Sequence, residues 1–176
     1  MPQAAPPPLF GYAPTPLGRV LVITRGDELT GLHFDGHART PRITDQPSAF
    51  SSVLTAVATQ LAEYFQRART RFELPVRFDG TPFQVAVWSA LLEIPYGQTS
   101  TYASLAARIG RPRAARAVGA ANGQNPISIV VPCHRLIGAG GDLTGYGGGL
   151  ERKRSLLELE GADPDRRPVR RARAGS

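Results

Sequence analysis

Short alternating apolar runs in the first half of the chain give way to helical stripes in the second. Residues 17–24 (LGRVLVIT) and 28–34 (ELTGLHF) are apolar and partly alternating, and Arg25-Gly26-Asp27 supplies turn chemistry between them. They predict a β-hairpin. Residues 37–48 are polar and broken by proline, which predicts a loop. Phe50, Val53, Leu54, Val57, Leu61, Tyr64 and Phe65 then recur at steps of three and four, with Ser48 placed to cap the helix they predict. Phe72, Leu74 and Val76 alternate and predict a returning strand.

From residue 81 the helical period dominates. Thr81-Pro82-Phe83-Gln84 combines an N-cap, a proline suited to the first helical position and the glutamine of a capping box. The helix should run to about Leu92 with Phe83, Val87, Trp88 and Leu91 on one face, followed by a turn at Pro95-Tyr96-Gly97. A short helix over 101–109 stops at Gly110, and another opens at Pro112 and runs to about Asn122. Two short helices joined at Gly110-Arg111 have the outline of a helix-turn-helix, with Arg111, Arg113 and Arg116 at the start of the second. Ser128 to Val131 reads as a buried strand, 138–149 as a glycine-rich loop, and Leu150 to Glu160 as a last helix ended by Gly161. The expected fold class is α/β. A sheet-plus-helix domain spans 9–78, and a mostly helical domain with a helix-turn-helix spans 79–162. A proline-rich leader (1–8) and a basic tail (163–176) without apolar periodicity are expected to be disordered.

Composition narrows the function. The chain has 176 residues, 41% of them hydrophobic, in globular proportion. It carries 21 basic and 14 acidic residues for a net charge of +7, and all the basic residues but Lys153 are arginine. The first 80 residues account for only +1 of this, while 81–162 and 163–176 carry +3 each. An excess of this sign points to a polyanionic partner, nucleic acid first. One cysteine excludes an internal disulfide, and one Cys with three His is too few for a closed structural zinc site without carboxylates. No run is long enough to span a membrane, and the N-terminus lacks the pattern of a signal peptide, so the cytoplasm is the expected compartment. His33 and His37 stand four apart at a strand end and are taken as non-ligands; no metal is expected.

The lone cysteine lies in Ile129-Val130-Val131-Pro132-Cys133-His134-Arg135. A solitary cysteine is most often an inert core residue. Here Pro132 ends an apolar run just before it, His134 offers a base provided the chain bends, and Arg135 adds a cation that favours thiolate. This segment resembles the O6-alkylguanine-DNA alkyltransferase family, also called methylated-DNA–protein-cysteine methyltransferases. The resemblance rests on Pro132-Cys133-His134-Arg135, on Thr144-Gly145-Tyr146-Gly147-Gly148-Gly149-Leu150 with Lys153, on Ala114-Ala115-Arg116-Ala117-Val118-Gly119, on Asn122-Gly123-Gln124-Asn125-Pro126, and on Ile94-Pro95-Tyr96-Gly97 with Tyr102. It is dense over 81–161 and loose over 10–80.

The resemblance implies a ribonuclease-H-like N-terminal domain, a winged-helix-like C-terminal one and irreversible, stoichiometric transfer of an alkyl group, mainly methyl. The group would pass from guanine O6, secondarily thymine O4, in duplex DNA to Cys133 after the base is flipped. By the same resemblance His134 is the base, acting through a water, and Glu160 orients it. Tyr102 donates a proton to the leaving guanine, Asn125 is a hydrogen-bonding hinge, and Arg116 fills the gap left by the flipped base. Ala115, Arg113, Tyr102 and Arg135 would join Arg116 at the DNA. Tyr146, Gly147, Gly148, Val131 and Pro132 would wall the guanine pocket. No cofactor is implied, the protein would act as a monomer that could cluster on DNA, and the recognition helix would enter the minor groove with little sequence preference. A relative lacking the acceptor cysteine, which only binds lesions, and a helix-turn-helix regulator are the alternatives.

Overall fold

A computed structural model describes residues 6–36, 40–41 and 52–162. The expectations for residues 1–5, His37, Ser48, Phe50 and the tail from residue 163 lie outside them. Three antiparallel strands, β1 (Pro8–Ala13), β2 (Val20–Arg25) and β3 (Glu28–Phe34), form a meander in the order β1-β2-β3. The predicted hairpin is β2–β3. β1 is an addition: its PLFGYA sequence alternates weakly and carries a proline and a glycine, so the sheet rather than intrinsic propensity recruits it. Pro8 therefore belongs to the sheet and not to a leader.

Helix α1 (Ser52–Phe65) packs on this sheet through Val53, Val57, Leu61 and Tyr64, the predicted stripe. The returning strand at 72–76 does not form. Val76 makes one isolated bridge to Leu29, with the Leu29 amide donating to Pro75 O (2.8 Å) and the Arg77 amide to Leu29 O (3.0 Å). Phe72, Leu74 and Val76 still pack against the core, so the alternation records burial without a ladder.

The second half is helical: α2 (Pro82–Leu91), α3 (Tyr102–Arg108), α4 (Ala115–Asn122) and α5 (Leu150–Leu159), with a two-residue parallel pair, β4 (Ser100–Thr101) and β5 (Leu136–Ile137). The capping box at α2 is complete: Thr81 Oγ1 accepts from the Gln84 amide, and the Thr81 amide donates to Gln84 Oε1. Thr101 caps α3 through the Ser104 amide (3.1 Å). Helix α4 begins at Ala115, not Pro112. Pro112 and Arg113 lie in a turn, Arg113 and Arg111 thus precede the helix, and Arg116 sits in its first turn.

A single apolar cluster joins the halves, running from Val20, Leu32 and Phe34 through Leu61 to Leu91, Val118, Ile127 and Leu136. The sheet also makes a direct backbone link. Leu32 on β3 donates to Pro126 O (2.9 Å) and accepts from the Ser128 amide (2.9 Å), which fastens the chain shortly before Cys133 to a strand edge.

Candidate active site

The segment 128–131 is buried, as its composition predicts, but it is a turn and not a strand. Ile129 adopts φ 68°, a conformation disfavoured for a β-branched residue, at a cost on the order of 1–3 kcal/mol. Asn125 holds the turn closed. Its Oδ1 accepts from the Ile127 amide (3.0 Å), and its Nδ2 donates to Val131 O (3.0 Å) and Ile127 O (3.3 Å). The chain then passes through Pro132 into a 3-10 turn over Cys133–Arg135, so it bends at the cysteine and does not continue as a strand.

One carboxylate organises the interior behind that turn. Glu160, at the C-cap of α5, accepts from Tyr64 Oη (2.7 Å), His134 Nε2 (2.8 Å), Arg135 Nε (2.8 Å) and Nη2 (2.9 Å), and the Gly97 amide (3.3 Å). Burial alone would raise the Glu160 carboxyl, but the hydrogen bonds and positive charge of its partners hold it well below the usual carboxylate range. Burial keeps His134 below its ordinary value, so its neutral form dominates at neutral pH. With Nε2–H donating to Glu160, the bare ring nitrogen is Nδ1, which is buried and has no hydrogen-bond partner. A neutral imidazole held in that tautomer with an open nitrogen has the form that a general base requires. Gly97 must be glycine: it adopts φ +73°, and a Cβ there would lie 2.9 Å from Glu160 O.

Cys133 itself is 4% exposed. Burial pushes its thiol up, opposed by a hydrogen bond from the Asn125 side chain and by the charge of Lys153. Lys153 is fully buried, donates to Leu136 O (2.5 Å) and Thr144 O (2.7 Å), and is pushed down to about 8 by desolvation. It is thus a cation at neutral pH whose charge reaches the Cys133 thiol, and it ties the strand after the 3-10 turn to the glycine-rich loop. Tyr102, at the start of α3, donates to the same Thr144 carbonyl (3.0 Å), and burial raises its hydroxyl. Gly145 adopts φ +64°, and a Cβ on it would come within 3.0 Å of Tyr102 Oη, so only glycine lets the loop lie on that hydroxyl. Tyr146, Gly148, Val131 and Pro132 are buried, while Gly147 is exposed.

Arg111, Arg113 and Arg116 are all exposed, and Ala115 is half-buried. Arg135 is not part of that face. Only 7% of it is exposed, and its guanidinium is committed to Glu160 and to Ile94 O (2.5 Å), so the expected DNA contact is replaced by a structural one. A buried Arg135 balances the carboxylate instead of meeting phosphate.

Three participants went unassigned in the sequence. Tyr64 looked like one more apolar position of α1, and its hydroxyl meets Glu160 only through the fold. Lys153 carries a signal in hindsight: it is the only lysine, and it falls on the apolar stripe of α5 with Leu156 and Leu157. Asn122 ends α4 and reaches the nucleophile's backbone. Among the described residues, no group of three or more His, Cys, Asp or Glu is placed to hold a metal, and His33 lies within β3.

A buried thiol beside a histidine locked by a carboxylate, next to an exposed arginine-bearing helix, defines a cysteine protein built for nucleophilic transfer. Residues 9–78 match the ribonuclease-like domain, and residues 82–162 the DNA binding domain, of 6-O-methylguanine DNA methyltransferase. The methylated-DNA–protein-cysteine methyltransferase of Mycobacterium bovis is 50% identical over 149 residues, 83% of this chain and 88% of that protein. The enzyme of the same name from Haemophilus influenzae is 44% identical over 152 residues, 86% of this chain and 85% of that protein. A crystal structure of Mycobacterium tuberculosis OGT in complex with DNA superposes with a TM-score of 0.79 at 46% identity, covering 91% of this chain and 95% of that one. The chain belongs to the 6-O-methylguanine DNA methyltransferase family, as a DNA-repair methyltransferase whose acceptor is a protein cysteine. Among the described residues no helix is long and apolar enough to cross a membrane.

Proposed function

We propose that this protein removes alkyl groups, mainly methyl, from guanine O6 in duplex DNA by moving them to Cys133 Sγ after the base is flipped out. Thymine O4 would be a secondary site. The observation that carries the reading is the buried Cys133–His134–Glu160 arrangement with His134 Nδ1 left open. Glu160, ionised against Arg135, fixes the histidine tautomer. Nδ1 takes the thiol proton through a water, and the thiolate attacks the alkyl carbon in line with the carbon–oxygen bond. That bond breaks with its electrons going to the purine, which takes a proton from Tyr102. The thioether has no leaving group that would regenerate the thiol, so each molecule acts once.

Arg116 would enter the helix in place of the flipped base, with Arg113 and Ala115 beside it, on the helix-turn-helix formed by α3 and α4. Tyr146, Gly147, Gly148, Val131 and Pro132 would wall the base pocket. Affinity for duplex DNA would come largely from phosphate contacts and fall with salt. The protein would work as a cytoplasmic monomer. The test is an intact mass spectrum after incubation with duplex DNA containing O6-methylguanine. Gain of one methylene in the wild type, absent in Cys133→Ser, is expected; no mass change in a folded wild type would refute transfer.

A further inference from the structure

Tyr64, in the last turn of α1, is fully buried and lies in the segment that matches the ribonuclease-like domain. Its hydroxyl donates to Glu160 Oε1 (2.7 Å), the same oxygen that accepts from His134 Nε2 (2.8 Å) and Arg135 Nη2 (2.9 Å). Packing alone does not require that hydroxyl. A phenylalanine would fill the same apolar place on α1, and a hydroxyl buried there without an acceptor would be costly. Three rings hold Tyr64 in position: Phe65 and Tyr96 stand edge-on to it (centroids at 5.3 and 6.0 Å), and Phe72 is tilted against it (5.2 Å). Tyr96 in turn donates to Leu159 O (3.2 Å), on the residue before Glu160. Two tyrosines in edge contact thus grip consecutive residues at the end of α5, one by its side chain and one by its backbone.

Sharing Oε1 with His134 makes the Tyr64 contact chemical as well as structural. A carboxylate beside an imidazole favours the charged ring, and a further donor to the same oxygen draws off part of that pull. Tyr64 donates at every working pH, because burial and the carboxylate's charge raise its hydroxyl above the ordinary tyrosine value. The titratable and charged groups around the His134–Glu160 pair are Tyr64 from α1, Tyr96 from the turn after α2, Arg135 from the 3-10 turn, Tyr146 from the glycine-rich loop and Lys153 from α5. Of these, Tyr64 and Arg135 share Oε1 with the histidine, and only Tyr64 does so without a charge. We infer that Tyr64 is a positioning residue for alkyl transfer, by which the first half of the chain holds the Glu160 carboxylate and restrains its pull on the His134 Nε2 proton, so that Nδ1 of the neutral ring remains the base. The inference rests on the transfer reading above.

Tyr64→Phe removes the hydroxyl and keeps the ring. Losing a hydrogen bond to a charged group is worth about one to two pH units at that group, and a part of this reaches the histidine. The acid midpoint of benzyl transfer from free O6-benzylguanine to Cys133 should therefore rise by about half a unit, and the midpoint of the His134 ring, read by nitrogen NMR without substrate, should rise with it. 3-Fluorotyrosine placed at position 64 is a stronger donor of nearly the same shape and should lower both midpoints. An unmoved or lowered midpoint in Tyr64→Phe would overturn the inference and leave Tyr64 a core tyrosine with a satisfied hydroxyl. If Tyr64→Phe does not fold, as judged by its thermal melt, the fluorinated protein decides: lowered midpoints support the inference, and unmoved or raised ones overturn it. A wild type that forms no benzyl adduct would refute transfer to Cys133, and Tyr64's part in it, whatever the ring titration shows.

Discussion

Glu160→Gln is the substitution that most directly probes the architecture behind the nucleophile. The carboxylate is fully withdrawn from water and receives five donors from four other residues: Tyr64, His134, Arg135 and Gly97. Glutamine keeps the volume but removes the charge and turns one acceptor into a donor. That donor must point at the Tyr64–His134 side or at Arg135, so at least one former partner loses its acceptor. Arg135 stays buried with no counter-ion, keeping its hydrogen bond to the neutral Ile94 carbonyl. Breaking a buried pair from one side costs about 3–5 kcal/mol. At 2–4 °C per kcal/mol for a chain of this size, the melting temperature should fall by roughly 6–20 °C.

The sign of the pH dependence follows from the lowered Glu160 carboxyl. Its contribution is fully present above the unfolded value near 4.5 and is lost as pH falls toward the folded one, so the gap between wild type and variant should be widest at neutral pH and close in acid. Thermal melts followed by circular dichroism across that range make the measurement. Arg135→Met added to Glu160→Gln should recover part of the loss, because the orphaned cation goes with it. A drop of less than about 2 °C, or a double variant as unstable as the additive sum, would refute the idea that one ionised carboxylate balances a buried arginine.

Three further outcomes are expected. The acid limb of the transfer rate to free O6-benzylguanine should have its midpoint below 6.5, because burial depresses His134; a midpoint at or above 6.5 would contradict a neutral histidine base. The same depression means that His134 supports stability above its unfolded value, and this support is lost as pH falls toward the folded one. Lys153→Met should take a donor from the buried Leu136 carbonyl and leave the Thr144 carbonyl to Tyr102 alone, cost about 1–3 kcal/mol in denaturant melts, and move the pH midpoint of Cys133 alkylation by iodoacetamide upward; an unmoved midpoint would remove Lys153 from the thiol's electrostatics. Arg116→Ala should slow repair in duplex DNA by about tenfold or more while sparing the free base, and equal losses on both would argue against insertion into the helix.

Much of the local structure was legible because it rests on contacts within a few residues. The stripe of α1 and the capping box at Thr81 are short-range matters of period and hydrogen bonding, and they appear where the sequence places them. The misreadings share a cause. The runs at 72–76 and 128–131 are apolar because they are buried, and burial says nothing about whether a neighbouring strand is in register to pair. Likewise, β1 forms because β2 offers it an edge, not because PLFGYA favours extension.

The sequence alone determined that the one cysteine sits beside a histidine and an arginine, that a glycine-rich loop follows, and that nearly all the excess positive charge lies outside the first 80 residues. Only the tertiary structure decided what each does. A carboxylate 26 residues from His134 orients it, a tyrosine 96 residues from that carboxylate completes its shell, and the arginine expected at the DNA turns inward to neutralise it. A buried charge must find its partners wherever the fold brings them, and that requirement leaves no trace in local sequence spacing.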